Sequence, residues 1–205
     1  VRTKLAEDVV TEAQWKVLVD ETKKLGSLQD AVIVVDTSSS MHSSNYLPID
    51  VAVAMGLLIS EVVQGAFHGQ VITFNTTPKF KTIPDGSLFH RWNTMYKMEW
   101  GGSTNLESVF TLILEKGKQF SLKQEDMPKK LFIVSDMQFN QATSGYYGQS
   151  ITNWQRIEEL YSMSGYIRPQ IVFWNVNGSS TDFPITVDEN NTALISGFSP
   201  SILKS

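Results

Sequence analysis

Five apolar residues, Ala31-Val32-Ile33-Val34-Val35, run without interruption into Asp36-Thr37-Ser38-Ser39-Ser40. An unbroken, mostly β-branched run of this length is the pattern of a strand buried on both faces. Such a strand needs helices above and below it, and hence a parallel sheet. A carboxylate and two hydroxyls then follow at alternate positions, where the strand runs out into a loop. At the carboxyl edge of a parallel sheet, clustered oxygen donors suggest a hard-cation site, provided that other strands bring further ligands to the same edge.

The rest of the chain repeats this alternation. Residues 71–74, 131–134 and 170–174 are further apolar runs, and 78–83 alternates as an edge strand would. The spacing predicts a helix over 11–25, in which Thr11 and Gln14 form a capping box, Lys23 and Lys24 sit at the negative end, and Gly26 is the stop. Trp15, Leu18 and Val19 would face the core. A helix over 48–64 opens on Pro48 and is apolar on most sides, so it should be buried. Leu106, Val109, Phe110, Ile113 and Leu114 form an amphipathic stripe that continues to about Lys118. Trp154, Ile157, Leu160 and Tyr161 give a further helix face that stops near Gly165. A short helix is expected within 86–98, weak strands over 185–187 and 193–195, and a helical end over 199–203.

Strands alternating with helices predict an α/β three-layer sandwich, with a mostly parallel central sheet and helices on both faces. The 205 residues show no repeat or linker. We expect one globular unit over residues 29–205, with an N-terminal helical segment, residues 1–28, packed on it. The first residue is Val1, so the chain is expected to be a piece of a longer protein.

Composition narrows the function. A net charge of −4 supplies no global basic field for nucleic acid, leaving only the local pairs Lys79, Lys81 and Lys129-Lys130. The chain has no cysteine, which excludes disulfides, a thiolate zinc site and a Cys nucleophile. No stretch approaches the roughly 18 apolar residues of a membrane span.

In the expected sheet, segments 36–40, 101–105 and 135–136 converge on the carboxyl edge. They offer two carboxylates, Asp36 and Asp136, and three hydroxyls, Ser38, Ser40 and Thr104. An all-oxygen set suits Mg²⁺, Mn²⁺ or Ca²⁺ and argues against zinc or copper. Each segment has a plainer reading. Asp36 to Ser40 could be a turn, Thr104 with Glu107 a capping box, and Asp136 a turn former. What favours a site is that all three occur in order, each at the end of an apolar strand or the start of a helix.

Together, Asp36-Thr37-Ser38-Ser39-Ser40-Met41, Gly102-Ser103-Thr104 and Val134-Ser135-Asp136 resemble the metal-ion-dependent adhesion site of von Willebrand factor A domains. The resemblance covers nearly the whole chain from about residue 29. It implies that Ser38 and Ser40 bind the metal directly, that Thr104 does so in the ligand-engaged state, and that Asp36 and Asp136 act directly or through water. An open coordination position would take a carboxylate from a partner protein. Two positions depart from the family: Ser39, where Gly is usual and a left-handed backbone would be costly for Ser, and His42, where Gly often follows the Met. Within the family, residues 100–105 and 135–139 are most similar to two groups. One is the A-domain that ends Ro ribonucleoproteins, in which a separate helical-repeat ring carries RNA. The other is a set of uncharacterised, mainly plant and large-virus proteins. Both imply an intracellular, cytoplasmic setting and an N-terminal region, absent from this chain, through which RNA would be bound.

The expected function is therefore a monomeric, non-enzymatic interaction module whose bound cation accepts an exposed Asp or Glu of a protein partner. His42, Asn45, Tyr46, Asn75, Asn105, Tyr146 and Tyr147 would form the rim that sets specificity. The alternatives are a Mg²⁺-dependent phosphohydrolase of haloacid-dehalogenase-like type using Asp36, and an RNA-binding accessory domain. The first needs an acid two residues after its nucleophile, where this chain has Ser38. The second finds no phosphate-cradling glycine motif after the first strand. His68 and His90 fall away from the sheet edge, and no nucleophile elbow surrounds any serine.

Overall fold

The computed structural model describes residues 8–42, 48–75, 77–98, 105–136, 149–176 and 192–196. Six strands form one sheet: β1 (Ala31–Val35), β2 (Gln70–Thr73), β3 (Phe80–Thr82), β4 (Lys130–Ser135), β5 (Gln170–Asn175) and β6 (Thr192–Ser196). Their spatial order is β3-β2-β1-β4-β5-β6. All neighbours pair in parallel except β3, which runs antiparallel to β2 at the edge. The apolar run that dominates the sequence is thus an inner strand, buried at all five positions. It aligns with β4 from Ala31↔Lys130 to Val35↔Val134.

Among the described residues, five helices cover the sheet: α1 (Val9–Leu25), α2 (Pro48–Val62), α3 (Leu88–Tyr96), α4 (Leu106–Gln119) and α5 (Gln149–Met163). They fall into two groups. α2 lies on β1 and is flanked by α1 and α3, whereas α4 packs with α5. The result is the three-layer α/β sandwich expected from the alternation. The expected strand over 185–187 and the helical end over 199–203 lie outside the described residues.

α2 is apolar nearly all round because it is enclosed nearly all round, and Gly56 lets it approach β1 closely. A Cβ at Gly56 would stand 2.2 Å from Met95 Cε and 2.7 Å from Val35 Cγ2. The Met95 end can swing away, but Val35 is β-branched and held in the sheet. Gly56→Val gains only a few tenths of a kcal/mol in helix propensity and overpacks this contact, at a cost of about 1–3 kcal/mol. Its urea midpoint should therefore fall with an unchanged slope.

Helix boundaries correct one expectation. α1 starts at Val9 rather than at residue 11, because Asp8 is the N-cap. The Asp8 carboxylate accepts the Val10 N–H at 3.1 Å and the Thr11 hydroxyl at 2.8 Å. Thr11 thus supports an anionic cap one turn back, and the capping box with Gln14 is not formed. Gly26 does end the helix, at φ 69°, with its N–H on the Lys23 carbonyl.

A polar network holds α1 to the rest. Arg91 on α3, with a side chain only 12% exposed, pairs with Glu61 of α2 and lies 3.3 Å from a Glu12 oxygen of α1. Glu61 also accepts the Trp15 indole N–H at 3.1 Å, and Glu12 accepts the Leu88 N–H at 2.6 Å. On the other group, Tyr161 of α5 donates its hydroxyl to the Phe110 carbonyl of α4 at 3.0 Å.

Candidate metal centre

The chain leaves β2 and β3 on one side of β1 and crosses to β4 on the other, so the strand order reverses between β1 and β4. In open α/β sheets ligands bind in the crevice outside the carboxyl ends of the strands at such a switch point. Asp36 follows β1 and Asp136 follows β4, so both carboxylates enter that crevice. The buried polar residues repeat the pattern. Asp36, Thr37, Thr73, Ser135, Asp136 and Asn175 are all buried, and all lie at the carboxyl ends of β1, β2, β4 and β5.

Asp36 is 2% exposed, yet both of its oxygens are engaged. Oδ1 accepts the Ser38 N–H at 2.8 Å, and Oδ2 accepts the Ser135 hydroxyl at 2.5 Å. The Asp36 N–H continues the ladder onto the Val134 carbonyl at 3.0 Å. Burial pushes the Asp36 carboxyl above its ordinary range, the Ser135 and Ser38 hydrogen bonds pull it back, and the nearby Asp136 charge raises it further.

Beyond Asp36 the chain turns into a short 3₁₀ helix, Ser39–His42. Right-handed 3₁₀ geometry needs no left-handed residue, so a Ser is accommodated at position 39. Met41, fully buried, anchors the turn in the core, while Ser38 and Ser40 are half-buried. Their hydroxyl oxygens lie 3.0 Å apart.

That distance tests whether the residues fit a cation. Adjacent ligands of an octahedral ion with bonds of 2.0–2.1 Å stand about 2.9 Å apart, and the equatorial ligands of a seven-coordinate Ca²⁺ stand about as close. The Ser38 and Ser40 hydroxyls, which share a hydrogen bond, are therefore spaced as two ligands of one hard divalent cation would be. A second sign is the Thr37 hydroxyl, which is buried without a hydrogen-bond partner among the described residues; a buried orphan of this kind calls for a water or an ion nearby. Among the described residues there is no cluster of three or more His, Cys, Asp and Glu. Any cation here would rest on two carboxylates and hydroxyls.

Of the residues expected at the site, Asp36, Ser38, Ser40 and Asp136 come together at one edge. Thr104, Asn45, Tyr46, Tyr146 and Tyr147 lie outside the described residues. Asn105 is the N-cap of α4, its Oδ1 accepting the Ser108 N–H at 3.3 Å. Glu107, in the first turn of α4, pairs with Arg156 at 3.0 Å. Asn75 Oδ1 accepts the Thr77 N–H at 3.4 Å. His42 is exposed, with its ring edge-on to Tyr96 of α3 and Nδ1 3.4 Å from the Tyr96 hydroxyl. The basic pair at the opposite edge serves the fold, since Lys129 pairs with Asp30 at 2.6 Å and Lys130 donates to the Ser27 carbonyl at 3.2 Å.

Sequence reasoning missed Ser135 as a contact of Asp36. Val35 is aligned with Val134, so the next residues, Asp36 and Ser135, are lateral neighbours on the same face of the sheet. The signal was a hydroxyl breaking an apolar strand just before an Asp.

Residues 30–205 match a family described as "Domain of unknown function (DUF7788)". The chain is 35% identical over 198 residues to an uncharacterised protein of Acanthamoeba polyphaga mimivirus, a match covering 96% of this chain and 34% of the viral protein. In fold it is similar to the crystal structure of the Deinococcus radiodurans RO (RSR) protein, with a TM-score of 0.52 and 14% identity over 84% of this chain and 32% of that one. The chain thus spans about a third of the length of each relative. The likeness to Ro proteins drawn from the sequence holds at the level of fold.

Proposed function

The chain belongs to the DUF7788 family, and on that premise we propose that it is a non-enzymatic, divalent-cation-dependent protein-interaction module of von Willebrand factor A type. The observation that carries the reading is the meeting of Asp36, Ser38, Ser40 and Asp136 at the switch point of the sheet, with two hydroxyl oxygens 3.0 Å apart. Ser38 and Ser40 would hold Mg²⁺, Mn²⁺ or Ca²⁺ directly, with Thr104 joining them in the ligand-engaged state and Asp36 and Asp136 acting directly or through water. A cation held mainly by neutral hydroxyls keeps net positive character and attracts an acidic side chain of a partner protein.

The chain's own residues prepare that encounter. Met41 fixes the loop, the Ser38 amide and Ser135 hold Asp36, and His42, Asn75 and Asn105, with Asn45, Tyr46, Tyr146 and Tyr147 from outside the described residues, would make up the rim. The same loop counts against Asp36 as a phosphohydrolase nucleophile. Ser38 stands where such chemistry needs its general acid. In this reading the module is intracellular, and any RNA role belongs to regions outside this chain.

The test compares the partners retained by wild type and by Ser38→Ala/Ser40→Ala, with Mg²⁺ and with chelator. Partners should be retained only by wild type, only with the cation, and be competed by soluble acidic peptide. Equal retention by the double variant rejects the reading.

A further inference from the structure

Ser135 plays no part in the reading above as a metal ligand, yet it is the residue most tightly built into the centre. Its side chain is fully buried and its hydroxyl donates to Asp36 Oδ2 at 2.5 Å. Together with the Ser38 N–H on Oδ1, this fixes the carboxylate at both ends and so fixes its plane. Rotation about the side chain would break one hydrogen bond or the other in a place where water cannot replace it. We propose that Ser135 is the positioning residue of this centre: its hydroxyl orients the Asp36 carboxylate toward the cation held by Ser38 and Ser40. The inference rests on the metal-site reading proposed above.

The physical requirement is specific. Asp36 Oδ2 needs a short, neutral donor from the neighbouring strand. A Lys or Arg there would cancel the charge the cation uses, and an apolar residue would leave a carboxylate oxygen buried and unpaired. Ser at the last position of β4, one step beyond the Val35↔Val134 pair, meets both conditions. Groups that orient a metal's carboxylate ligands are typically worth about 10–100-fold in metal affinity.

The experiment is calorimetric titration of the whole chain with Mg²⁺ and Mn²⁺ for wild type, Ser135→Ala, Ser135→Thr and Ser135→Val. It is joined to the ¹³C carboxyl shift of Asp36 in metal-free protein. Thr and Val add the same bulk and differ in the hydroxyl, so their comparison separates hydrogen bonding from packing if Ser135→Ala folds poorly. Ser135→Ala and Ser135→Val should bind about tenfold more weakly or worse, with Ser135→Thr near wild type. The Asp36 carboxyl resonance should move in Ala and Val and stay in Thr. Equal affinity across all four proteins, with wild type binding, overturns the role of Ser135 alone. A wild type that binds neither ion overturns the metal-site reading and this role with it.

Discussion

Titration of the protein with Mg²⁺ or Mn²⁺ is expected to show one binding event, and Asp36→Ala is expected to abolish it. The loss should be at least about a hundredfold, because the substitution removes a carboxylate and the acceptor that organises the loop. Without Asp36, the Ser38 N–H loses its partner, and the turn that sets Ser38 and Ser40 3.0 Å apart loses its first anchor. Unchanged binding would reject the site assignment outright. In metal-free protein, Asp36→Asn should act in the opposite sense on stability. Burial first, and the Asp136 charge in addition, hold the Asp36 carboxyl above its ordinary range against the pull of Ser135 and Ser38. A group that binds its proton more tightly folded than unfolded contributes stability that is complete below its unfolded pKa, about 3.9, and is lost as the pH rises through the folded value. Asp36→Asn does not titrate. Its urea midpoint in chelator should therefore fall less than that of wild type between about pH 4 and pH 7. A parallel fall would mean that burial costs this carboxylate little.

The second large effect concerns Arg91. It pairs with both Glu12 and Glu61, and its side chain is largely buried. Arg91→Ala leaves two part-buried carboxylates facing a small void, and breaking one side of a buried pair typically costs about 3–5 kcal/mol. For a chain of this length that is roughly 6–20 °C in melting temperature, since each kcal/mol is worth about 2–4 °C. Glu61 is already pushed above the ordinary carboxylate range by burial, against the opposing pull of Arg91. Removing Arg91 should push it further, so the damage should be larger at neutral than at mildly acidic pH. Differential scanning calorimetry at two pH values reads both. A shift below about 2 °C would show that the network is solvated enough to be dispensable.

Much of this molecule was legible in its sequence, and the reasons differ by element. β1, β4 and β5 announce themselves as unbroken apolar runs because each is enclosed on both faces. Asp36 and Asp136 are visible because polar residues follow those runs at once. α3 was only half legible, since Leu88, Trp92 and Met95 mark one face of a short helix whose surroundings are decided by α2. One cap residue went wrong for a physical reason. Thr11 with Gln14 fits the capping-box spacing, but Asp8 supplies a better-placed acceptor one turn back. Local pattern cannot rank two caps that differ by the path of the entering chain. Ser135 and Arg91 could not be assigned their contacts at all, because both depend on which strands and helices end up adjacent.

The hydrogen bond from Ser135 to Asp36 joins residues 99 positions apart in the chain. Nothing local can form it, since β1 must first find β4 after α2, β2, β3, α3 and α4 have been laid down between them. Closing so long a loop is slow and brings no return until the two strands dock. The contact between Ser135 and Asp36, and with it the cation centre proposed here, therefore depends on the two strands having docked. A chain in which β1 and β4 have not paired offers Asp36, Ser38 and Ser40 without the strand that orients the carboxylate.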